Sequence, residues 1–332
     1  MMELGLFSYS LLVQQEHGAQ PQLLSALARQ PSANIISPPP LEWKRRKEWG
    51  SARRQIKDCD ALFWVQTSSR PPEAIHVAAW MNLRARRSIF VLDAWKHLLW
   101  KLGLFATIER LDPCFVAYRE ATTELQRRFP LGKFVWLPHA ADTRIFYPRR
   151  EEKSVFCFWM GRRHELLHQA LLAYCGAHGL RYLYSNDHFY SDEDLGRIAS
   201  SARYFVVTPP DLDNPRRTGG FSPLVMRYLE GLAAGTRLLG VLPRSGEYEA
   251  LLPTDAICQV APDGSDLAER LQEDRGNPNA QRAVDAAGAF VRKYHSWQWR
   301  TEQIINYLAN GAAINIPVMQ LPLTVPFPDR RC

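Results

Sequence analysis

The sequence predicts an α/β protein built from two doubly wound domains that face each other across a cleft. Short apolar runs alternate with longer helix-like segments along most of the chain. These runs are apolar throughout rather than at every second position, which is typical of parallel strands covered on both faces. The alternation stops at a charge-rich stretch, Pro148–Lys153, and then starts again. A length of 332 residues fits two such domains.

Most of the apolar runs that we interpret as strands end at a polar or proline-containing turn. In the first half the predicted strands are Leu4–Phe7, Asn34–Ile36, Ala61–Val65, Ser88–Leu92, Cys114–Ala117 and Phe134–Leu137, with helices at Pro72–Arg86 and Arg119–Arg128. In the second half they are Val155–Trp159, Arg181–Tyr184, Tyr204–Val207, Arg237–Val241 and Ile257–Val260, with helices at Glu165–Ala177, Asp192–Ser200, Pro223–Ala234 and from Gln281 to about Leu308.

The domain boundaries follow from this pattern. We expect an N-terminal domain over residues 1–148 and a C-terminal domain over residues 149–295. Residues 296–332 form a closing helix and an extended, proline-containing tail, which we expect to pack back on the first domain. Ligands of open parallel sheets bind at the carboxyl ends of the strands, so a site is expected in the strand-to-helix loops.

Composition places few limits on function. The net charge of +7 permits a polyanionic partner, although a solvated basic surface explains it equally simply. The six cysteines form no Cys-x-x-Cys pair, which argues against a zinc or redox motif and favours the reducing cytoplasm. No apolar run reaches about 18 residues, so no membrane span is expected, and no signal peptide is evident.

The loop and helix around Arg216–Ala234 have the composition of an anion site. The loop Arg216–Gly220 is basic and glycine-rich, and backbone amides with arginines bind phosphate well. On the helix, Arg227 and Glu230 are three residues apart and share a face. Arg227 suits a phosphate, and Glu230 could accept hydrogen bonds from a diol such as ribose. The alternative is a local ion pair on the surface, which the apolar neighbours make less favourable.

A second loop, Met160–His164, follows the first strand of the C-terminal domain. Gly161 lets the backbone approach a ligand closely. Arg162 and Arg163 stand at a helix start, where the helix dipole disfavours positive charge unless an anion is bound. The alternative is a solvated helix start. The loop has neither a Gly-x-Gly-x-x-Gly nor a P-loop pattern, so nothing supports a dinucleotide or Walker-type ATP site.

Four segments together carry a resemblance to a known family. They are SARYFVVTPP…TGGFSPLVMRYLEGLAAGTRLLG, WLPHAADTRIFYP, FWMGRRHELLHQALL and YHSWQWRTEQIINYL. In this order they resemble the GT-B glycosyltransferases of the "glycosyl transferases group 1" set, especially its CgeB-like, family 4-like subgroup with an Arg-x-x-Glu core. The resemblance covers about residues 115–308, and the first 110 residues match in pattern alone.

The resemblance implies a nucleotide-sugar donor, linked to UDP, GDP or dTDP, held mainly by the second domain. Glu230 falls at the position that binds the ribose hydroxyls. Arg162 or Arg163 falls at the position that neutralises the diphosphate, with Arg227 as a second candidate. The resemblance implies no cofactor beyond this co-substrate. The arginine and glycine loops can stabilise the diphosphate without a metal, so we expect metal-independent transfer of a hexosyl or pentosyl group, with retention of configuration.

The loop before the helix shows both agreement with this family and one departure from it. Thr218, Gly219 and Gly220 fall where loop atoms meet the phosphates or the sugar. Many relatives carry two glutamates with seven residues between them, and the earlier position here is Ser222. The glutamate that would contact the donor sugar is therefore missing, and the identity of the sugar stays open.

Two residues are candidates for the chemical step. Asp93 ends a predicted strand of the first domain and could act as a base toward the acceptor hydroxyl, although capping a turn is the more usual role of such an aspartate. His139 follows the last strand before the linker. It could contact sugar or phosphate in the cleft, or it could be a packed histidine at the hinge.

The acceptor is open: a glycan, a small molecule or a modified nucleic acid all fit. The competing hypothesis is a DNA-modifying glycosyltransferase or a basic nucleic-acid-binding protein on the same fold. It rests on the basic clusters Trp43–Lys47, Arg53-Arg54 and Arg84–Arg87, with aromatic residues nearby. An epimerase of the same architecture is a third class, but the sequence offers no clear acid and base pair for it.

Overall fold

The computed structural model describes residues 9–12, 23, 26–27, 29, 33–36, 59–68, 84–150, 152–185 and 190–319. Several predictions concern residues outside these ranges. They are the strand Leu4–Phe7, the basic clusters Trp43–Lys47 and Arg53-Arg54, most of the helix Pro72–Arg86, and the tail beyond residue 319.

The first half of the chain forms a six-stranded parallel sheet, which we call the first lobe together with its helices. Its strands are β1 (Tyr9–Leu12), β2 (Ala33–Ile36), β3 (Ala61–Ser68), β4 (Arg86–Asp93), β5 (Cys114–Val116) and β6 (Phe134–Trp136), in the order β2-β1-β3-β4-β5-β6. In its described residues from 84 onward lie the helices α1 (Leu99–Ile108) and α2 (Arg119–Arg128), with a 3₁₀ turn at Lys96–Leu98.

The second half forms a five-stranded parallel sheet, the second lobe. Its strands are β7 (Val155–Trp159), β8 (Tyr182–Tyr184), β9 (Ala202–Val207), β10 (Arg237–Gly240) and β11 (Ile257–Gln259), in the order β11-β10-β9-β7-β8. Around it lie α3 (Glu165–Ala177), α4 (Asp192–Ser201), α5 (Pro210–Asp213), α6 (Pro215–Thr218), α7 (Met226–Ala233), α8 (Glu247–Leu251), α9 (Leu267–Arg275) and α10 (Ala280–Tyr294), with a 3₁₀ turn at Thr254–Ala256. The prediction of two parallel, doubly wound sheets is confirmed.

Two details of the second lobe differ from the prediction. The stretch predicted as an irregular loop before residue 221 contains the short helices α5 and α6, each with a proline at its start. Helix α7 begins at Met226 and not at Pro223. The reason is that the backbone amide of Leu224 is held by the side chain of Glu247, at 2.6 Å, and Val225 is still extended.

The final helix, α11 (Trp297–Asn310), lies against the first lobe. Its apolar residues Trp297, Ile304, Ile305 and Leu308 belong to the same buried cluster as the strands of the first sheet. The ring of Trp297 meets Phe90 of β4 edge to face, with 6.4 Å between centroids. The chain therefore crosses between the lobes twice, once after β6 and once before α11. No helix in the described ranges is both long enough and apolar enough to cross a membrane.

The two crossings run side by side and are hydrogen-bonded to each other. The amide of Ala141 donates to the carbonyl of His295, at 2.9 Å, and the amide of Trp297 donates to the carbonyl of Ala141, at 3.0 Å. Ser296 begins α11 by accepting a hydrogen bond from the amide of Trp299. This pairing makes the junction between the lobes a short piece of parallel β structure rather than a loose linker.

Arg300 of α11 holds both crossings from inside. Its guanidinium donates to the carbonyls of Pro138 and His139 on the first crossing, at 2.9 and 3.4 Å. It also reaches the carbonyl of Tyr294, at 3.1 Å, and Nδ1 of His295, at 2.6 Å, on the second. The residue has no solvent exposure, and burial lowers its pKa from the usual value. Arginine stays charged even so, and its several donors match these acceptors.

Beyond the crossings, acidic side chains link the two lobes directly. The carboxylate of Glu247 accepts the backbone amide of Arg119, at the first turn of α2, as well as that of Leu224. In the opposite direction, Glu120 of α2 accepts the backbone amide of Ser222, at 2.9 Å. A carboxylate at a helix N-terminus is favourable. Burial raises the pKa of Glu247 to about 7.

We expect Arg300→Leu to lower the free energy of unfolding by about 3 kcal/mol, because several buried acceptors lose their donor together. Urea denaturation followed by fluorescence measures this. The matched control is Arg270→Ala, which removes an exposed arginine that pairs with Asp266 and Glu273. That change should stay within about 0.5 kcal/mol. Equal effects of the two substitutions would contradict the role given to Arg300.

Candidate active site

The candidate site lies where the second sheet changes winding direction. Strand β7 has β8 on one side and β9 on the other, so the loops after β7 and β9 diverge and leave a crevice at their carboxyl ends. A cavity of about 340 Å³ occupies this place. Its polar lining includes Gly161, Arg162, Thr208, Asp213 and Arg227.

Gly161 allows the loop after β7 to pass close to Arg227. Its φ of 91° lies in the left-handed region that favours glycine. A Cβ atom at this position would stand 3.6 Å from Nε and 3.8 Å from one terminal nitrogen of the Arg227 guanidinium. The backbone of the loop and this guanidinium therefore form one wall of the cavity.

The consecutive arginines of this loop have different surroundings. Arg162 is exposed and lines the cavity, and its carbonyl accepts a hydrogen bond from the indole of Trp159, at 3.0 Å. Arg163 pairs with Glu165, at 3.1 Å, and its guanidinium lies over the ring of Tyr184, 4.8 Å from the centroid. Of these two candidates, only Arg162 is placed at the cavity.

Arg227 and Glu230 form an ion pair, with 2.5 Å between Nη1 and Oε2. Glu230 is buried, whereas about a third of the Arg227 side chain is exposed. Burial raises the pKa of Glu230, against the opposing effect of Arg227, and the nearby Asp142 raises it further. This is a partly buried pair at the cavity wall rather than a pair on the outer surface.

His139 is buried at the hinge, close to the charge of Arg227. Its Nδ1 atom has no hydrogen-bond partner among the described residues, and its ring lies 5.6 Å from that of Tyr118. Burial lowers the pKa of His139 to about 4, and the charges of Arg300 and Arg227 act in the same direction. The imidazole is therefore neutral at pH 7.

Asp93 lies at the contact between the lobes. Its Oδ1 accepts a hydrogen bond from the hydroxyl of Tyr118, at 2.7 Å, and its Oδ2 pairs with Arg217 of the second lobe, at 3.0 Å. The Arg217 guanidinium also lies 4.9 Å from the ring centroid of Trp95. Burial raises the pKa of Asp93, while Tyr118 and Arg217 oppose that rise. Both carboxylate oxygens are thus engaged.

The three consecutive loop residues predicted for donor binding also lie at this contact and not among the residues that line the cavity. Thr218 is buried, donates to the carbonyl of Pro215 and accepts the amide of Gly220, both at 3.3 Å. Gly219 has a φ of 63°, and a Cβ there would come within 2.8 Å of the Cβ of Lys96 in the first lobe. Gly161, Arg162 and Arg227 therefore line the cavity, whereas Asp93 and Gly219 lie at the contact between the lobes.

Several structurally important residues were not identified from the sequence. Asp213 lines the cavity, and burial raises its pKa to about 6. Glu247 and Arg300 join the lobes. The position of Arg300 could have been predicted, because its spacing from Trp297 and Ile304 places it on the apolar, buried face of the helix. Within the described part of the chain, no group of three or more His, Cys, Asp or Glu side chains is placed to hold a metal ion.

Comparison with known proteins agrees with this geometry. Residues 162–306 match the family model described as "Glycosyl transferase-like". No curated protein matches the sequence significantly. Sucrose-phosphate synthase from Thermosynechococcus elongatus has a similar structure, with a TM-score of 0.58 at 13% identity over 91% of this chain and 98% of that one.

HepE from Anabaena is also similar. In complex with UDP and glucose it gives a TM-score of 0.63 at 10% identity, over 92% of this chain and all of HepE. In complex with UDP-glucose it gives 0.60 at 11% identity, with the same coverage. Identities this low show the shared fold alone.

The fold, two doubly wound lobes with the cavity in the second, is the one shared by these solved glycosyltransferase-like structures, and the family match lies in the second lobe and the last helix. The matched residues, 162–306, include Arg162 and Asp213 of the cavity lining and the helix with Arg227 and Glu230.

The buried, neutral His139 should make stability depend on pH. The pKa of His139 falls from 6.5 to about 4 on folding, so between these values the unfolded chain binds a proton that the folded protein excludes. The stabilisation is complete above pH 6.5 and is lost as the pH falls toward 4. We expect His139→Gln to reduce this loss by up to about 3 kcal/mol near pH 4.

Urea denaturation between pH 4 and 8 measures the effect, with each variant referred to its own stability at pH 7.5. His178→Gln, which changes an exposed histidine, is the matched control. Parallel pH curves for the wild type and His139→Gln would show that this imidazole does not carry the dependence.

Proposed function

We propose that this protein is a glycosyltransferase that moves a sugar from a nucleoside-diphosphate sugar, with UDP as the first candidate nucleotide, to a hydroxyl of its acceptor. The observation that carries the proposal is the meeting of Gly161, Arg162 and Arg227 at a cavity on the switch point of the second sheet. Two of the similar structures are HepE in complex with UDP and glucose or with UDP-glucose, which supports UDP as the nucleotide.

The two arginines suit the charge that develops in the reaction. Arg162, on the loop after β7, and Arg227, at the start of α7, line the same cavity, so both can approach one diphosphate. Fixed guanidinium groups stabilise the departing diphosphate most strongly where water is scarce. Glu230, buried beside Arg227, is the proposed acceptor for the ribose hydroxyls. The donor domain is then the proposed C-terminal domain, residues 149–295.

In the proposed step, the acceptor oxygen forms a bond to the anomeric carbon while the bond from that carbon to the diphosphate oxygen breaks. The bonding electrons leave with the diphosphate, where Arg162 and Arg227 balance the added charge. We propose that the departing phosphate oxygen takes the proton of the acceptor hydroxyl on the same face of the sugar. This route retains the anomeric configuration and needs no metal.

The lobe-contact residues have a different proposed role. Asp93 has both oxygens occupied by Tyr118 and Arg217, so it acts as a base only if Arg217 moves away. We therefore propose that Asp93 positions the loop of Thr218, Gly219 and Gly220 against the first lobe. His139 is proposed to lie behind Arg227 as a neutral residue that adds no charge of its own.

The alternative, a DNA-modifying transferase or a nucleic-acid-binding protein, has less support in the described ranges. Arg86 donates to the carbonyls of Tyr307 and Leu308 at the end of α11, and Arg87 pairs with Glu109. Both side chains are therefore committed to contacts within the protein. The acceptor stays open among a glycan, a small molecule and a modified nucleic acid.

A cytoplasmic location remains our proposal. Cys59, Cys114, Cys157, Cys175 and Cys258 are all buried free thiols. Proteins of reducing compartments commonly keep cysteines in this form.

We expect Arg162→Ala to weaken donor binding about tenfold or more, because a charge-assisted hydrogen bond to phosphate is lost. Isothermal titration with UDP, GDP and dTDP, free and as their sugars, measures it. Arg163→Ala is the matched control, since it removes the adjacent arginine, which faces Glu165 and Tyr184. That variant should bind within about threefold of the wild type.

The same titration tests the whole proposal. If no nucleotide or nucleotide sugar binds the wild type, the proposed donor site is wrong. If Arg163→Ala is as damaging as Arg162→Ala, the loop contributes through its general charge and not through the cavity. An assay for sugar transfer to a panel of hydroxyl acceptors then follows with the nucleotide that binds.

A further inference from the structure

Asp213 is an acid in a cavity that is otherwise cationic. It ends α5, the short helix that follows β9, and it lines the cavity together with Arg162 and Arg227. Among the lining residues it is the one with a carboxyl group. An acid beside a diphosphate site is unfavourable unless it has its own partner, because like charges repel at short range. A carboxyl group at this position of the cavity therefore needs a hydrogen-bond donor as its partner.

The carboxyl group of Asp213 has an unused acceptor. Its Oδ1 atom is buried and has no hydrogen-bond partner among the described residues. No salt bridge to Asp213 occurs within those residues, although His164 lies near enough to favour the ionised form. Buried polar atoms are nearly always hydrogen-bonded, so an unpaired one at a cavity wall indicates a ligand group.

The neighbouring acid, Asp211, also has a buried Oδ1 with no hydrogen-bond partner among the described residues, but its surroundings differ. It is buried, and its Oδ2 pairs with Arg244, at 2.7 Å. It does not belong to the residues that line the cavity. The two acids lie on the same short helix, two residues apart, but only Asp213 faces the proposed donor. This makes Asp211 a control for the general loss of negative charge.

The position that holds a sugar-contacting glutamate in the enzymes this chain resembles is closed here. Ser222 is 1% exposed. Its amide donates to Glu120 of the first lobe and its hydroxyl accepts the amide of Arg244, both at 2.9 Å. Ser222 is thus part of the lobe contact, and it does not line the cavity. A carboxylate for the sugar must come from another position.

We infer that Asp213 is the specificity residue that accepts hydrogen bonds from hydroxyls of the donor sugar. The inference rests on the proposed function, since it needs the diphosphate on Arg162 and Arg227. Sugar hydroxyls are donors, and one carboxylate can accept from two of them. With the diphosphate on the two arginines and the ribose hydroxyls on Glu230, the hydroxyls of the transferred sugar are the donors left for Asp213. Asp213 then replaces, from a different loop, the acid absent at Ser222.

The test compares each nucleotide sugar with its own nucleotide. Dissociation constants are measured for UDP-glucose with UDP, GDP-mannose with GDP, and dTDP-glucose with dTDP, for the wild type and for Asp213→Asn. For the pair that binds, we take the ratio of the Kd of the nucleotide sugar to the Kd of the free nucleotide. In Asp213→Asn this ratio should be about tenfold or more above the wild-type ratio. Binding of the free nucleotide should change less than about threefold, or tighten because a negative charge is removed.

Two further variants complete the experiment. Asp211→Asn should leave the ratio at the wild-type value. Asp213→Ser removes the carboxylate with a smaller side chain, and it should raise the ratio as Asp213→Asn does, which guards against poor folding of one variant. Thermal denaturation checks that each protein is folded.

The outcomes separate the two proposals. An unchanged ratio in both Asp213 variants overturns this inference and leaves the donor site in place. An equal loss for the nucleotide and its sugar overturns it too, because Asp213 then contacts the nucleotide. If no pair binds the wild type, the proposed function fails and this inference fails with it.

Discussion

The buried guanidinium of Arg300 is the interaction on which the arrangement of the two lobes depends. The chain leaves the first lobe through Pro138–Asp142 and returns to it through Tyr294–Trp297, and both passages have backbone carbonyls that face inward. One cation with several donors satisfies these carbonyls and the imidazole of His295 at once. An apolar residue there would leave them without partners, which is costly in a buried position.

This junction fixes what the loops at the sheet edges can reach. With the crossings held, the carboxyl ends of β7 and β9 and the segment after β4 come to the same side of the molecule. The stretch between β9 and α7 then serves two purposes. Asp213, at its start, faces the cavity, whereas Arg217, Gly219 and Ser222, further along, rest on the first lobe. A ligand in the cavity and the contact between lobes therefore share one piece of backbone.

The sequence predicted the sheets well because parallel strands buried on both faces are apolar along their whole length. It also placed Gly161 and Arg162 after the carboxyl end of one strand and Arg227 on a helix that follows another, where general rules for such sheets put ligands. It did not separate Arg162 from Arg163. The direction of each side chain depends on the left-handed turn at Gly161, and adjacent identical residues give no periodic signal.

The remaining features depend on contacts between residues far apart in the chain. Asp93 was identified as a possible base, but its partner Arg217 lies 124 positions away and cannot be inferred from local pattern. The same holds for Thr218–Gly220, which looked like ligand-binding residues, since Gly219 in fact allows close approach to Lys96. Phe221, four residues after Arg217, belongs to the buried cluster of the first lobe and lies under Lys96.

The contact of Phe221 with the first lobe limits how lobes could be exchanged between proteins of this fold. In a chimera that joins this second lobe to the first lobe of another protein, Phe221 would lose the apolar residues that bury it here. The exchange would have to include the segment around Lys96 and the start of α2 as well. The part of this protein that can be exchanged as one piece is therefore larger than the second lobe alone.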